Sequence, residues 1–213
     1  MKAIKAALAF TREASQVLQS ANVRCSDTGD YICTLVKELE SAKLKRNPAF
    51  AEGIKTVAKW QPAIREAQLF SPNILLDTII KLEQHVSWMS ATRFWPEEEH
   101  RHFASNLSGS ILIGQDDAAF TSEDKYIALL GVMSPDTTYP LHEHRIRELY
   151  YVIGGRAGWS HDAKKWVTLA PGSVFFNRSH EPHTIRTYNQ FLIFVSFYLP
   201  PFGWDGGMVG VVK

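Results

Sequence analysis

Two histidines that lie two positions apart, His142 and His144, are followed by Glu148 and, further along, by His183. Side chains alternate across a β-strand, so residues i and i+2 project to the same side. On an extended segment His142 and His144 therefore share a face. Three imidazoles and one carboxylate are ligands that a divalent transition metal accepts. The pattern favours a fold in which strands hold a metal site on one face.

The residues around these four side chains have the composition of short strands. Residues 148–153, ELYYVI, are aromatic or branched and end at Gly154-Gly155, which is typical of a strand that leaves a turn over residues 145–147. Pro171-Gly172 opens a second short strand, and a loop then leads to His183. Only two strand pairs need to meet for all four side chains to converge.

An alternative is that these residues have no metal. Isolated histidines such as His85, His100, His102 or His161 are more often surface or hydrogen-bonded core residues than ligands. For the set of four this alternative is weaker, because a buried Glu148 without a cation would carry a large desolvation penalty. A protein that keeps its ligands by descent but has lost its activity remains an open alternative.

The sequence pattern changes once along the chain, from helical spacing to short apolar runs. The N-terminal part predicts helices at residues 3–18, 27–43, 48–60 and 73–88, the last opened by Ser71-Pro72. Short strands follow at residues 111–113, 126–133, 148–153, 158–160, 166–169, 174–176 and 191–198. Many strands without intervening helices indicate an antiparallel barrel or jelly roll. We therefore expect a helical cap or dimerisation region over residues 1–95 and a β-barrel with the metal site over residues 96–213.

The motifs resemble those of the cupins, G-x5-H-x-H-x3,4-E-x6-G and G-x5-P-x-G-x2-H-x3-N. His142, His144, Glu148 and Gly155 match the first motif, and Gly172 and His183 match the second. Gly131 lies too far upstream, and Arg178, His180 and Thr187 replace the usual Pro, Gly and Asn. The resemblance implies a mainly β protein with a cupin double-stranded β-helix, or jelly-roll, barrel. It also implies one divalent transition metal (Zn, Fe, Mn, Co or Ni) held by the three histidines and Glu148.

A narrower resemblance, over roughly the last hundred residues, is to the cupin-type dimethylsulfoniopropionate (DMSP) lyases of the DddL and DddQ group. In that group one tyrosine stands three residues before the first histidine and another two residues after the glutamate, as Tyr139 and Tyr150 do here. The resemblance implies a lyase that cleaves DMSP to dimethyl sulfide and acrylate.

The implied reaction is a β-elimination that a tyrosine begins. Tyr150 follows Glu148 by two residues on one strand, so both share a face, and a nearby divalent cation favours the anionic form of a phenol. We expect Tyr150 to remove the proton, and Tyr139 to orient the substrate carboxylate or share that role. The odd offset from His142 puts Tyr139 on the opposite face of an ideal strand, unless Pro140 bends the chain. Tyr198 and the tryptophans are candidates for holding the sulfonium by cation–π attraction.

Two functions from other classes remain as alternatives. A cupin dioxygenase employs three histidines and one glutamate around its metal, and a non-catalytic cupin binds a small molecule. Tyr139 and Tyr150 together favour the lyase.

Composition excludes several classes of protein and partner. The formal net charge is +1 over 213 residues, which leaves no electrostatic footprint for nucleic acid or an anionic membrane. The helical part mixes charge signs, so we interpret it as a cap or a homodimer-forming layer rather than a DNA-reading module. Its aromatic residues, Trp60, Phe70, Trp88, Phe94 and Trp95, are candidates for closing the barrel mouth. Cys25 and Cys33 are too few for a disulfide scaffold, and a cytoplasmic location is the expectation.

Overall fold

The computed structural model describes residues 2–21, 26–48, 50, 57–93, 95, 98–115, 118–123 and 125–201, and the backbone of residues 210–211. The α-helices are α1 Lys2–Ser20, α2 Ser26–Glu40, α3 Trp60–Phe70, α4 Ile74–Leu82 and α5 Arg101–Asn106, with 3-10 turns at Glu83–His85, Ala91–Arg93 and Glu98–His100. The strands are β1 Lys45–Arg46, β2 Met89–Ser90, β3 Leu107–Gly114, β4 Phe120–Thr121, β5 Ile127–Met133, β6 Thr138–Glu143, β7 Glu148–Gly154, β8 Ala157–Ser160, β9 Val167–Leu169, β10 Val174–Asn177, β11 His183–Thr187, β12 Leu192–Tyr198 and β13 Gly210–Val211.

Two sheets make up the β part. The larger has the order β1-β4-β3-β5-β12-β7-β10, with β2 beside β3, and the smaller has the order β13-β6-β11-β8-β9. Apart from the parallel β3–β4 contact, the paired strands are antiparallel. No ladder joins the two sheets in the described residues, so they face each other without forming one closed barrel. This architecture confirms the predicted cupin jelly roll with an N-terminal helical part.

The large sheet is the middle of three layers. On β7 the side chains of Leu149, Tyr151 and Ile153 belong to a core shared with α1 to α4, which we call the helical layer. Tyr150 and Val152 belong to a second core between the two sheets. The alternation of a strand therefore divides β7 between two buried faces, and Glu148 and Tyr150 lie on the inner one.

Several helix boundaries differ from the predicted ones. The Asn73 side chain accepts a hydrogen bond from the Leu76 amide at 3.0 Å, so Asn73, rather than Ser71-Pro72, is the N-cap of α4. Helix α4 ends at Leu82, short of the predicted Trp88, and α2 ends at Glu40. Helix α3 begins at Trp60, where the prediction ended a helix, because apolar spacing alone does not mark which side of Trp60 is helical. Most of the predicted 48–60 helix lies outside the described residues.

The division into two parts at residue 95 stays a prediction. Strands β1 and β2 come from the N-terminal part and extend the large sheet, and one core cluster contains residues of both parts. Within the described ranges no helix combines the length and apolarity that a membrane crossing requires.

Candidate metal centre and active site

The three predicted histidines converge between the two sheets. His142 lies on β6 and His183 directly opposite it on β11, and His144 follows the end of β6. One ring nitrogen from each of the three can be chosen so that all lie within 4.8 Å of one another. His142 and His183 are each only 1% exposed. The arrangement is a buried three-histidine group that could hold a metal ion.

Backbone carbonyls fix the orientation of all three rings. The Nδ1 atoms pair with a carbonyl oxygen two residues away: His142 with Pro140 at 2.8 Å, His144 with Ile146 at 2.7 Å and His183 with Glu181 at 2.9 Å. A carbonyl oxygen can only accept a hydrogen bond, so each Nδ1 carries a proton, and Nε2 is the atom that has a lone pair whenever the ring is neutral. The His183 Nε2 atom is buried and has no hydrogen-bond partner among the described residues. Three oriented and partly unsatisfied nitrogens fit a divalent transition metal.

Glu148, at the start of β7, faces the same group. Its Oε2 atom lies 3.1 Å from Nε2 of His144 and 3.4 Å from Nε2 of His183. Its Oε1 atom accepts a hydrogen bond from the Tyr198 hydroxyl. Burial opposes ionisation of Glu148, but the two imidazoles outweigh it and hold the carboxyl pKa well below its usual range. The carboxylate is therefore anionic at neutral pH and borders the three histidines.

The same surroundings shift the imidazoles in opposite directions. Burial, and then the nearby His183, lower the pKa of His142 from 6.5 to about 3. Burial also acts to lower the pKa of His144, but its hydrogen bond and charge attraction to Glu148 outweigh burial and raise it. His142 is thus neutral, the form that binds a metal, throughout the physiological range.

Tyr150 lies on the inner face of β7, as the sequence predicted for a residue two positions after Glu148. Its ring is 6.4 Å from the His183 ring, 4.9 Å from Trp159 and 5.3 Å from Phe194, measured between centroids. Burial, and then the charge of Glu148, raise the pKa of the Tyr150 hydroxyl well above its ordinary value. In these surroundings alone Tyr150 is a neutral phenol.

Tyr139 lies on the same side of β6 as His142, despite the odd offset between them. Between the pairs His183–His142 and Ile185–Tyr139 the register shifts, because β6 contains one residue more than β11 over this stretch. Such a β-bulge reverses the alternation, so the opposite faces expected of an ideal strand do not apply to this stretch of β6. The Tyr139 ring stacks on His142, with centroids 4.2 Å apart and planes at 21°.

Two aromatic side chains that precede the strands of the site in sequence, Trp95 and Phe103, cover His142 and Tyr139. Phe103 of α5 stacks on the outer face of Tyr139 at 4.5 Å, and Trp95 meets the His142 ring edge-on at 6.0 Å. The sequence named Trp95 as a candidate to close the barrel mouth but missed Phe103. Of the other candidates, Trp60 and Trp88 pack against each other in the helical layer, Phe70 is 71% exposed and Phe94 lies outside the described residues.

Asn177 is a polar neighbour of the site that the sequence alone did not identify. It ends β10, opposite Glu148 on β7, and is fully buried. Its Nδ2 atom donates to Glu148 Oε2 at 3.5 Å, and its Oδ1 atom lies 3.1 Å from Nε2 of His161. No spacing in the sequence identifies Asn177 as a site residue, because only the register between β7 and β10 brings its side chain to the Glu148 carboxylate.

Comparison with known proteins points to one family. The family model described as dimethylsulfoniopropionate lyase matches residues 35–194. A stretch of 88 residues is 31% identical to dimethylsulfoniopropionate lyase DddQ of Ruegeria pomeroyi (strain ATCC 700808 / DSM 15171 / DSS-3). This stretch is 41% of the chain and 43% of that relative, so the match spans less than half of the relative's length.

Two solved structures have a fold similar to that of this chain. One comes from a study of crystal structures of the DMSP lyases RdDddP and RnDddQII, with a TM-score of 0.68 and 17% identity over 99% of this chain and 100% of that chain. The other is DMSP lyase DddQ from Ruegeria pomeroyi DSS-3, with a TM-score of 0.58 and 20% identity. The match covers 76% of this chain and 79% of that chain. At these identities the likeness shows the fold.

Proposed function

Because the chain belongs to the dimethylsulfoniopropionate lyase family, we propose that it is a carbon–sulfur lyase that cleaves DMSP to dimethyl sulfide and acrylate. The observation that carries the proposal is the buried group of three oriented imidazoles within the matched residues 35–194. The elimination removes a proton from the carbon next to the carboxylate, and the carbon–sulfur electron pair leaves with sulfur. A neutral sulfide departs from a sulfonium, so no further co-reactant is required.

We place one divalent transition metal (Zn, Fe, Mn, Co or Ni) at the Nε2 atoms of His142, His144 and His183, with Glu148 as the fourth ligand. Mixed imidazole and carboxylate donors accept any of these ions. When bound, the metal supplies Lewis-acid polarisation of the substrate carboxylate and favours ionisation of a nearby phenol. Glu148 contributes a negative charge that the His144 and His183 imidazoles stabilise against the effect of burial.

Tyr150 is the proposed base. It lies on the inner face of β7 next to the ligand set, and burial keeps water away from its hydroxyl. Burial, and then the charge of Glu148, raise its pKa, so the proton-accepting form depends on positive charge in the loaded site. A tyrosinate at this position would take the proton from the carbon next to the substrate carboxylate.

The two other tyrosines support different roles in the same site. Both faces of the Tyr139 ring are covered, by Phe103 and by His142, so its hydroxyl is the part that can act on a substrate carboxylate. Tyr198 was predicted to bind the sulfonium, and its hydroxyl donates to Glu148. Its ring and the ring of Trp95 remain candidates for cation–π contacts, worth about 0.5 to 2 kcal/mol each.

Headspace analysis tests the activity directly. Purified protein mixed with DMSP, with and without added metal, should release dimethyl sulfide and acrylate in equal amounts, and the variant His142→Ala should release neither above background. Consumption of oxygen in place of sulfide release would indicate a cupin dioxygenase. DMSP binding that stabilises the protein without forming product would indicate a non-catalytic cupin.

A further inference from the structure

Tyr31 of α2 connects the helical layer to the strands of the site. Its side chain is buried, and its hydroxyl lies 3.0 Å from the Phe197 carbonyl oxygen and 3.3 Å from that of Arg147. The same oxygen accepts a hydrogen bond from the Leu199 amide at 2.9 Å. One phenol therefore holds three backbone groups from two separate segments of the β part.

These three backbone groups flank the pair Glu148 and Tyr198. Arg147 immediately precedes Glu148, and Phe197 and Leu199 stand on either side of Tyr198. Glu148 and Tyr198 are themselves opposite each other in the β7–β12 ladder. Tyr31 thus binds the backbone where β7 begins and β12 ends, one residue away from each member of the hydrogen-bonded pair.

We propose that Tyr31 is a positioning residue for the metal centre, which it serves by fixing the backbone that carries Glu148 and Tyr198. This inference rests on the proposed function, since it concerns the carboxylate that completes the ligand set. Ligand orientation depends on neighbouring hydrogen bonds, and their loss weakens metal affinity. The helical layer then contributes to the site through Tyr31 as well as covering the large sheet.

The contribution of the Tyr31 hydroxyl can be tested separately from that of the ring. The ring packs against Phe176, with centroids 4.9 Å apart, and the Arg147 guanidinium lies 5.3 Å from its centroid. Tyr31→Phe keeps both contacts and removes the backbone hydrogen bonds alone. A control is available at the opposite end of β12, where Glu66 of α3 accepts a hydrogen bond at 3.0 Å from the amide of Phe191, the residue before that strand.

The experiment compares Zn²⁺ affinity, by competition with a chromophoric chelator, in the unsubstituted chain, Tyr31→Phe and Glu66→Ala. We expect Tyr31→Phe to lose about tenfold or more in affinity, and Glu66→Ala to keep its affinity even where its melting temperature falls. Visible absorption of bound Co²⁺, which reports ligand geometry in the folded fraction only, should change in Tyr31→Phe and not in Glu66→Ala.

Unchanged affinity and an unchanged Co²⁺ spectrum in Tyr31→Phe would overturn the positioning role. Equal losses in both variants would also overturn it, because Tyr31 would then act only through general stability. Failure of the unsubstituted chain to bind any of the five candidate metals is a different result. It would overturn the metal centre itself, and the role of Tyr31 with it.

Discussion

The Tyr198 hydroxyl donates a hydrogen bond to Oε1 of Glu148, directly across the paired strands β7 and β12. The other carboxylate oxygen, Oε2, lies beside the imidazoles of His144 and His183. Ser196, two residues before Tyr198, places its hydroxyl 3.2 Å from the tyrosine oxygen. A phenol thus holds one oxygen of the carboxylate while the second is directed at the histidines.

Tyr198→Phe should weaken metal binding with little effect on the fold. The substitution removes the hydrogen bond to Glu148 and keeps the ring, and loss of such an outer contact typically costs about 10- to 100-fold in metal affinity. Chelator competition with Zn²⁺ measures the change. An affinity equal to that of the unsubstituted chain would show that the carboxylate does not depend on Tyr198.

Tyr150→Phe should abolish most of the turnover while the metal content stays the same. Removal of a general base lowers rates by roughly 10²- to 10⁴-fold. Tyr151→Phe is the matched control, because Tyr151 is the next residue on β7 but belongs to the core on the helical side. Dimethyl sulfide release with parallel metal analysis checks both variants. Full activity of Tyr150→Phe would eliminate its role as base.

Acid should destabilise the metal-free protein through His142. The folded pKa is about 3 and the ordinary value is 6.5, so between these values the unfolded chain binds a proton that the folded chain does not. Stability is therefore lost as pH falls below 6.5, by at most about 1.4 kcal/mol per pH unit. Urea unfolding of chelator-treated protein at several pH values measures the slope.

The variant His142→Phe serves as the comparison in that experiment, since it keeps an aromatic ring against Tyr139 and cannot titrate. Below pH 6.5 its free energy of unfolding should depend less steeply on pH. The difference in slope should correspond to at most one proton taken up on unfolding. Identical slopes in the two proteins would mean that His142 is protonated in the folded state at mildly acidic pH.

Gly131→Ala should destabilise the jelly roll by about 1 to 3 kcal/mol, as overpacking of a well-packed core does. A Cβ atom at Gly131 on β5 would overlap the ring of Phe194 on β12, so the ring would have to move. Gly109→Ala on β3 is the control, because its Cβ would meet its nearest neighbour at 3.5 Å, an ordinary contact. Chemical denaturation of both variants tests the difference.

Within a single strand, the sequence determined which residues share a face. Glu148 and Tyr150 are both on the inner side of β7, because alternation is a local property of an extended backbone. His142 on β6 and His144 just after that strand reach the same site, as their spacing predicted. The change from helical spacing to short apolar runs likewise predicted the helical part and the jelly roll. These features depend on residues close together in the chain, so they can be inferred without knowledge of the fold.

Tertiary structure alone decided the rest of the site. Tyr139 joins His142 through a bulge that only the pairing of β6 with β11 defines. Asn177 and Tyr31 reach the neighbourhood of Glu148 from segments far away in sequence, through strand register and helix packing. Local periodicity carries no information about which distant segments meet. Those contacts follow from the way two sheets and a helical layer bury their apolar faces together.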